Sequence, residues 1–157
     1  MQNYCKTIGA LAAASALVAG NAQAEVEYEL HAGYSSEYLF RGRDLGDGLV
    51  EAGVTAATEW QGFGFSAGAW YGSVNDSQTF GNSFNELDLY AAVSQELGPV
   101  SLELGYIYYN YQDTPGTLDT QEVYLSASAE VIWGITAGAT VFYDFDSNNG
   151  WYLQPEI

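Results

Sequence analysis

From residue 26 to residue 145 the chain repeats one unit, a stretch of ten to thirteen residues that alternates apolar and polar positions. In residues 26–38 the even positions read Val26, Tyr28, Leu30, Ala32, Tyr34, Ser36 and Tyr38, and the odd ones Glu27, Glu29, His31, Gly33, Ser35 and Glu37. A period of two gives an extended strand with one apolar face and one face carrying carboxylates. Length constrains the fold further. A tilted strand needs about 9–11 residues to cross the hydrocarbon of a bilayer, against about 5–6 for an ordinary strand. The pattern predicts an all-β chain, an antiparallel up-and-down transmembrane β-barrel built as a meander.

Further strands are expected at 50–60, 63–73, 85–97, 100–111, 120–131 and 134–145, and Trp151 opens an eighth. The strand charges are Glu27, Glu29, Glu37, Glu51, Glu59, Glu86, Asp88, Glu96, Glu103, Glu122, Glu130 and Asp144, and each falls on the polar face. Connections are expected to be long at 39–49, 74–84, 112–119 and 146–150, with Gly46-Asp47-Gly48 read as a turn. They are expected to be tight at Gln61-Gly62, Gly98-Pro99 and near Ile132-Trp133. Short turns alternating with longer outer loops are what bacterial outer-membrane barrels show. The eighth strand is short and contains Pro155, and Ile157 is not a terminal aromatic, so a domain spanning 25–157 is expected to be incomplete at its C-terminus.

Alternation alone leaves open which face meets solvent. A soluble barrel turns its apolar face inward, whereas a membrane barrel turns it out. Three features favour the membrane. The strands are long, the chain carries an export signal, and a surface with this many carboxylates and no lysine after Lys6 would be unusual for a soluble fold. Aromatic residues near strand ends (Tyr38, Phe40, Trp60, Phe63, Tyr71, Tyr106, Tyr108, Tyr143, Phe145 and Trp151) suit interfacial girdles.

Lys6, the short apolar run 8–20 and Ala22-Gln23-Ala24 make residues 1–24 a secretory signal peptide, with cleavage after Ala24. Cys5 falls inside it, so the expected mature chain holds no thiol. Arg41 and Arg43 then stand alone against 20 acidic residues. Such a chain repels nucleic acid and attracts cations. High charge often marks disorder, but 48% hydrophobic content with 13 Tyr, 7 Phe and 4 Trp excludes that here.

The segment Gly33-Tyr34-Ser35-Ser36-Glu37-Tyr38-Leu39-Phe40-Arg41-Gly42 resembles the TorF family of Gram-negative outer-membrane, porin-like proteins, whose first mature strand ends in a Tyr-x-Phe-Arg-Gly-like motif. Here that motif is Tyr38-Leu39-Phe40-Arg41-Gly42. Glu86-Leu87-Asp88-Leu89-Tyr90 and Gly105-Tyr106 are similar in character. The resemblance implies an outer-membrane barrel and a channel, with no assigned substrate and no catalytic residues.

In a barrel the carboxylate face lines the lumen, and acidic rings favour cations. Glu29, Glu51, Glu59, Asp88, Glu103, Glu122 and Glu130 are the candidate lumen residues. The competing expectation is a narrow interior plugged by Tyr, Trp70 and hydrogen-bonded carboxylates. Arg41 and Arg43 are candidate mouth residues, either paired with carboxylates across the opening or anchoring a loop at the rim. The sequence favours the rim, since nothing in it fixes a partner. Asp144-x-Asp146-x-Asn148-x-Gly150 is similar in spacing to a calcium loop, but it lacks the closing Glu and reads as a polar hairpin loop. His31 faces the polar side without a nucleophile in reach. The sequence offers no catalytic, cofactor or metal-binding set.

The expected protein is a bacterial outer-membrane porin for small cationic or neutral solutes. Its expected partners are membrane lipid, lipopolysaccharide, the barrel-assembly machinery and small cations. The alternatives are a structural or adhesive envelope barrel without transport and a soluble periplasmic ligand-binding barrel.

Overall fold

The computed structural model describes residues 16–19, 26–113 and 119–157. Their backbone forms one antiparallel sheet in which each strand pairs with its neighbours in sequence. The strands are β1 (Ala16–Ala19), β2 (Glu27–Phe40), β3 (Arg43–Trp60), β4 (Phe63–Asp76), β5 (Phe84–Leu97), β6 (Val100–Gln112), β7 (Thr120–Ile132), β8 (Ile135–Asp144) and β9 (Gly150–Glu156). The signal peptide expected over 1–24 lies outside the described residues, except that the backbone of Ala16–Ala19 pairs with Glu27–Leu30. The eight strands from β2 onward form an up-and-down meander, curled into a half-barrel, with no helix among the described residues.

The curl gives the sheet two unlike faces. On the convex face the apolar side chains are uncovered: Leu30, Val50, Val54, Leu89, Leu104, Leu125, Val141 and Leu153 are all exposed. The concave face holds the buried residues, among them Trp70, Tyr90, Ile107, Tyr109, Tyr124 and Phe142, together with Glu86, Asp88, Glu122 and Asp144. A water-soluble ligand-binding barrel has the opposite arrangement, with apolar side chains inside and charges outside.

The connections show one departure from the expected alternation. Gln61-Gly62 and Trp133-Gly134 are tight turns with positive φ at both central residues, the geometry that matches the twist of a hairpin. Gly98-Pro99 turns with positive φ at its glycine. Residues 77–83 and 145–149 are longer links at the opposite end, where β6 also ends and β7 begins. The long loop expected at 39–49, however, is strand. Arg41 (φ 51°) and Gly42 (φ 75°) close a two-residue turn, and pairing continues from Phe40↔Arg43 down the whole hairpin. Gly42 follows Arg41 as Gly62 follows Gln61, so the turn carried a glycine signal, but the glycine-rich run at 46–48 drew the expected reversal there instead.

Gly46-Asp47-Gly48 accordingly does not reverse the chain. It is an irregular part of β3, with Gly46 at φ 147° and Gly48 at φ 69° opposite a register shift at Tyr38/Leu39. A side chain on Gly46 would collide with the Asp76 carbonyl and with Val74, so a glycine lets β3 lie close against the end of β4. Ser77 and Thr79 donate to the Leu45 and Asp44 carbonyls, tying the 77–83 link to the same place. This distortion reverses the faces of the hairpin tip. Tyr38, expected in an outer girdle, is buried inside, and Phe40 packs edge-on against Tyr109 with ring centroids 5.9 Å apart. Of the other expected girdle residues, Trp60, Phe63, Phe145 and Trp151 are exposed on the outside near strand ends, whereas Tyr71 and Tyr106 are exposed within β4 and β6.

Candidate functional site: the acidic aromatic cluster inside the curl

The inner face changes character along its length. Towards the tight turns it presents small side chains: Gly64, Ser66 and Gly68 on β4, Ala92 and Ser94 on β5, Ser126 and Ser128 on β7. Towards the other end it fills with Trp70, Phe84, Tyr109, Tyr111, Tyr124 and Phe142. Glycine and aromatic positions are matched across strands. Gly68 pairs with Tyr90 and Gly105 with Tyr124. In both pairs a Cβ on the glycine would overlap the tyrosine ring. Each ring therefore lies flat on the neighbouring strand, as in aromatic rescue of strand glycines. His31 covers Gly53 in the same way.

Lying along the wall carries the polar tips to acceptors on it. Tyr124 donates to Glu103 Oε1 at 2.7 Å, Trp70 Nε1 donates to Glu51 Oε2 at 2.7 Å, and the Tyr90 and Thr55 hydroxyls share a hydrogen bond of 2.6 Å. Two further contacts bridge the concavity. Tyr38 on β2 donates to Glu86 Oε2 on β5 at 2.6 Å. From the β2–β3 turn, Arg41 reaches Glu122 on β7 with both arms of its guanidinium, Nη1 to Oε1 at 2.6 Å and Nη2 to Oε2 at 2.7 Å. Tyr109 adds a third donor to Glu122 Oε2 at 3.1 Å.

The Arg41 pair is buried, its two side chains only 15% and 6% exposed. The guanidinium carbon also sits 4.8, 4.3 and 4.6 Å from the ring centroids of Phe40, Phe142 and Tyr152. A planar cation is attracted to ring faces at such distances, most strongly where water is excluded. Its charge has a specific task. Glu122 is the direct cross-strand partner of Asp144, and both are buried on the inner face. Like charges directly opposite destabilise a sheet, and Arg41 offsets that repulsion.

The candidate residues separate by depth. Asp88 and Glu122 are buried in the cluster, while Glu51 and Glu103 are half-buried on its flank. Glu29 and Glu59 are exposed, Glu29 beside Thr55, whose hydroxyl meets that of Tyr90. Glu130 is also exposed, and it accepts the Gly134 amide at 2.8 Å, so it closes the β7–β8 turn. Arg43 is exposed at the start of β3, whereas Arg41 is no rim anchor but spans the interior. Sequence reasoning passed over Glu86, Asp144 and Tyr38 as site residues. Glu86 and Asp144 were legible as inward-facing charges near the loop end, but Tyr38 was not, because its face depends on the β3 distortion. Asp144 accepts the Asp146 amide and Asn148 Nδ2, so it serves its own hairpin loop rather than a calcium loop.

Just before β7, partial burial pushes the Asp119 carboxyl up. Hydrogen bonds from Asn110, the Tyr108 hydroxyl and the Tyr111 amide outweigh it and hold the group below its ordinary value.

Comparison with curated proteins and with solved structures finds no match. A family model described as "bacterial protein of unknown function (Gcw_chp)" matches residues 19–155, and the chain belongs to that family.

Proposed function

We propose that the protein is a bacterial outer-membrane β-barrel of the porin-like kind that the TorF resemblance suggests, with a lumen lined by acids that passes small cations in preference to anions. One observation carries this reading: the sheet is inverted, with aliphatic side chains exposed on its convex face and four carboxylates buried on its concave face. A surrounding hydrocarbon makes that arrangement favourable, because it removes the outer apolar surface from water while the inner face stays polar. The small side chains near the tight turns leave room for a polar vestibule, and the cluster at the other end forms the constriction. Acidic groups in a low-dielectric constriction favour cations.

The test is reconstitution of the full chain in planar bilayers under a potassium chloride gradient. The expected reversal potential has the sign of cation selectivity. An anion-selective potential contradicts the acidic-lumen reading. The density of aromatic and hydrogen-bonded groups at the constriction favours a second reading, a non-conducting envelope barrel. Under that reading the protein inserts, migrates heat-modifiably on gels and shows no conductance.

A further inference from the structure

We propose that Glu122, Tyr109, Phe142 and Tyr152 form a binding site for guanidinium-bearing organic cations, and that Arg41 is its tethered occupant. A guanidinium already fills the site with the geometry a free ligand would take. The Glu122 carboxylate receives its two arms at 2.6 and 2.7 Å, the phenol of Tyr109 donates to the same carboxylate at 3.1 Å, and the neighbouring Phe142 and Tyr152 rings lie 4.3 and 4.6 Å from the planar cation. The fork matches a guanidinium and not a spherical ion, which offers no paired donors.

The walls and the occupant come from different parts of the chain. All four wall residues stand on β6, β7, β8 and β9, where strand pairing fixes them. Arg41 comes from the two-residue β2–β3 turn, 81 positions from Glu122 in sequence. Withdrawing Arg41 with its turn removes the Phe40 ring but leaves these four residues in place, with a buried carboxylate facing Asp144 and lacking its counter-charge. Such an uncompensated charge draws in whatever cation fits. Exchange of Arg41 for a solute guanidinium would loosen the Arg41-Gly42 end of the hairpin, which Tyr38, Ser77 and Thr79 still tether through their hydrogen bonds. The inference goes beyond the cation-path reading, since binding does not require conductance.

The experiment measures methylguanidinium binding by calorimetry to the full chain in detergent, with Arg41→Ala and the double variant Arg41→Ala/Glu122→Gln. The single variant is expected to bind one equivalent saturably and at least about tenfold more tightly than the double variant, the effect of one charge-assisted pair. Equal affinities overturn the proposal. Should Arg41→Ala lose heat-modifiable migration, hydrogen exchange on the unaltered protein decides instead. Millimolar methylguanidinium is expected to speed amide exchange across residues 39–46, whereas potassium at equal ionic strength leaves it unchanged. Identical exchange with the two cations overturns it. Loss of conductance with binding intact would count against the pore alone.

Discussion

Replacing Leu125 by arginine places a charge at the middle of β7 on the convex face. Leu125 is 56% exposed and lies between Leu104 on β6 and Val141 on β8. On a soluble protein, a substitution at so exposed a position changes stability by only about 0.5 kcal/mol either way. In a bilayer the same change puts a guanidinium at the midplane and costs about 2–4 kcal/mol. Val131, 60% exposed, shares that face near the β7–β8 turn. With about 3.3 Å per residue and a tilt near 40°, it lies about 15 Å from Leu125 along the barrel axis, at or beyond the edge of an apolar band about 25 Å tall. Val131→Arg should therefore cost only about 0–1 kcal/mol. Urea unfolding in lipid vesicles, followed by tryptophan fluorescence, measures both. The decisive result is the gradient between the two positions. Equal costs, or a cost below about 0.5 kcal/mol at Leu125, would refute hydrocarbon as the neighbour of the convex face.

Brominated lipid should quench Trp151 and Trp60, which are exposed on the outside near strand ends, but not Trp70, which is 6% exposed inside; single-tryptophan variants and emission spectra check this. Gly105→Val is expected to force the Tyr124 ring off β6 and break its hydrogen bond to Glu103, costing about 1–3 kcal/mol on urea unfolding. Arg41→Ala should destabilise by about 3–5 kcal/mol, because it leaves Glu122 charged and buried opposite Asp144; Glu122→Gln in the same background should restore part of that loss. The Asp119 carboxyl has a lowered folded pKa, so its contribution is present above its unfolded value and is lost as the pH falls through the folded one. Exchange of the Tyr111 amide, which Asp119 accepts, is expected to accelerate in that acid range, and an unchanged rate would remove the carboxylate from that role.

Much of the strand arrangement was legible because a pleated strand enforces a period of two. Once Leu102, Leu104 and Tyr106 alternate with Ser101, Glu103 and Gly105, the partition of β6 between two faces follows whatever surrounds it. The same holds for β4, β5, β7 and β8, whose inner and outer residues fall as the parity requires. Gly98-Pro99 and Gln61-Gly62 were legible for a related reason, since their backbone angles favour particular residues. Relations without a local cause were out of reach. Alternation is symmetric between the faces and so cannot choose the convex one; the curl of the assembled sheet does that. The hairpin tip escaped because positive φ at Gly46 and Gly48 rotates it, burying Tyr38 where simple parity puts it outside. The partner of Arg41 was equally hidden. Glu122 is distant in sequence, and only the curling of the sheet brings the one buried guanidinium onto the carboxylate that faces Asp144.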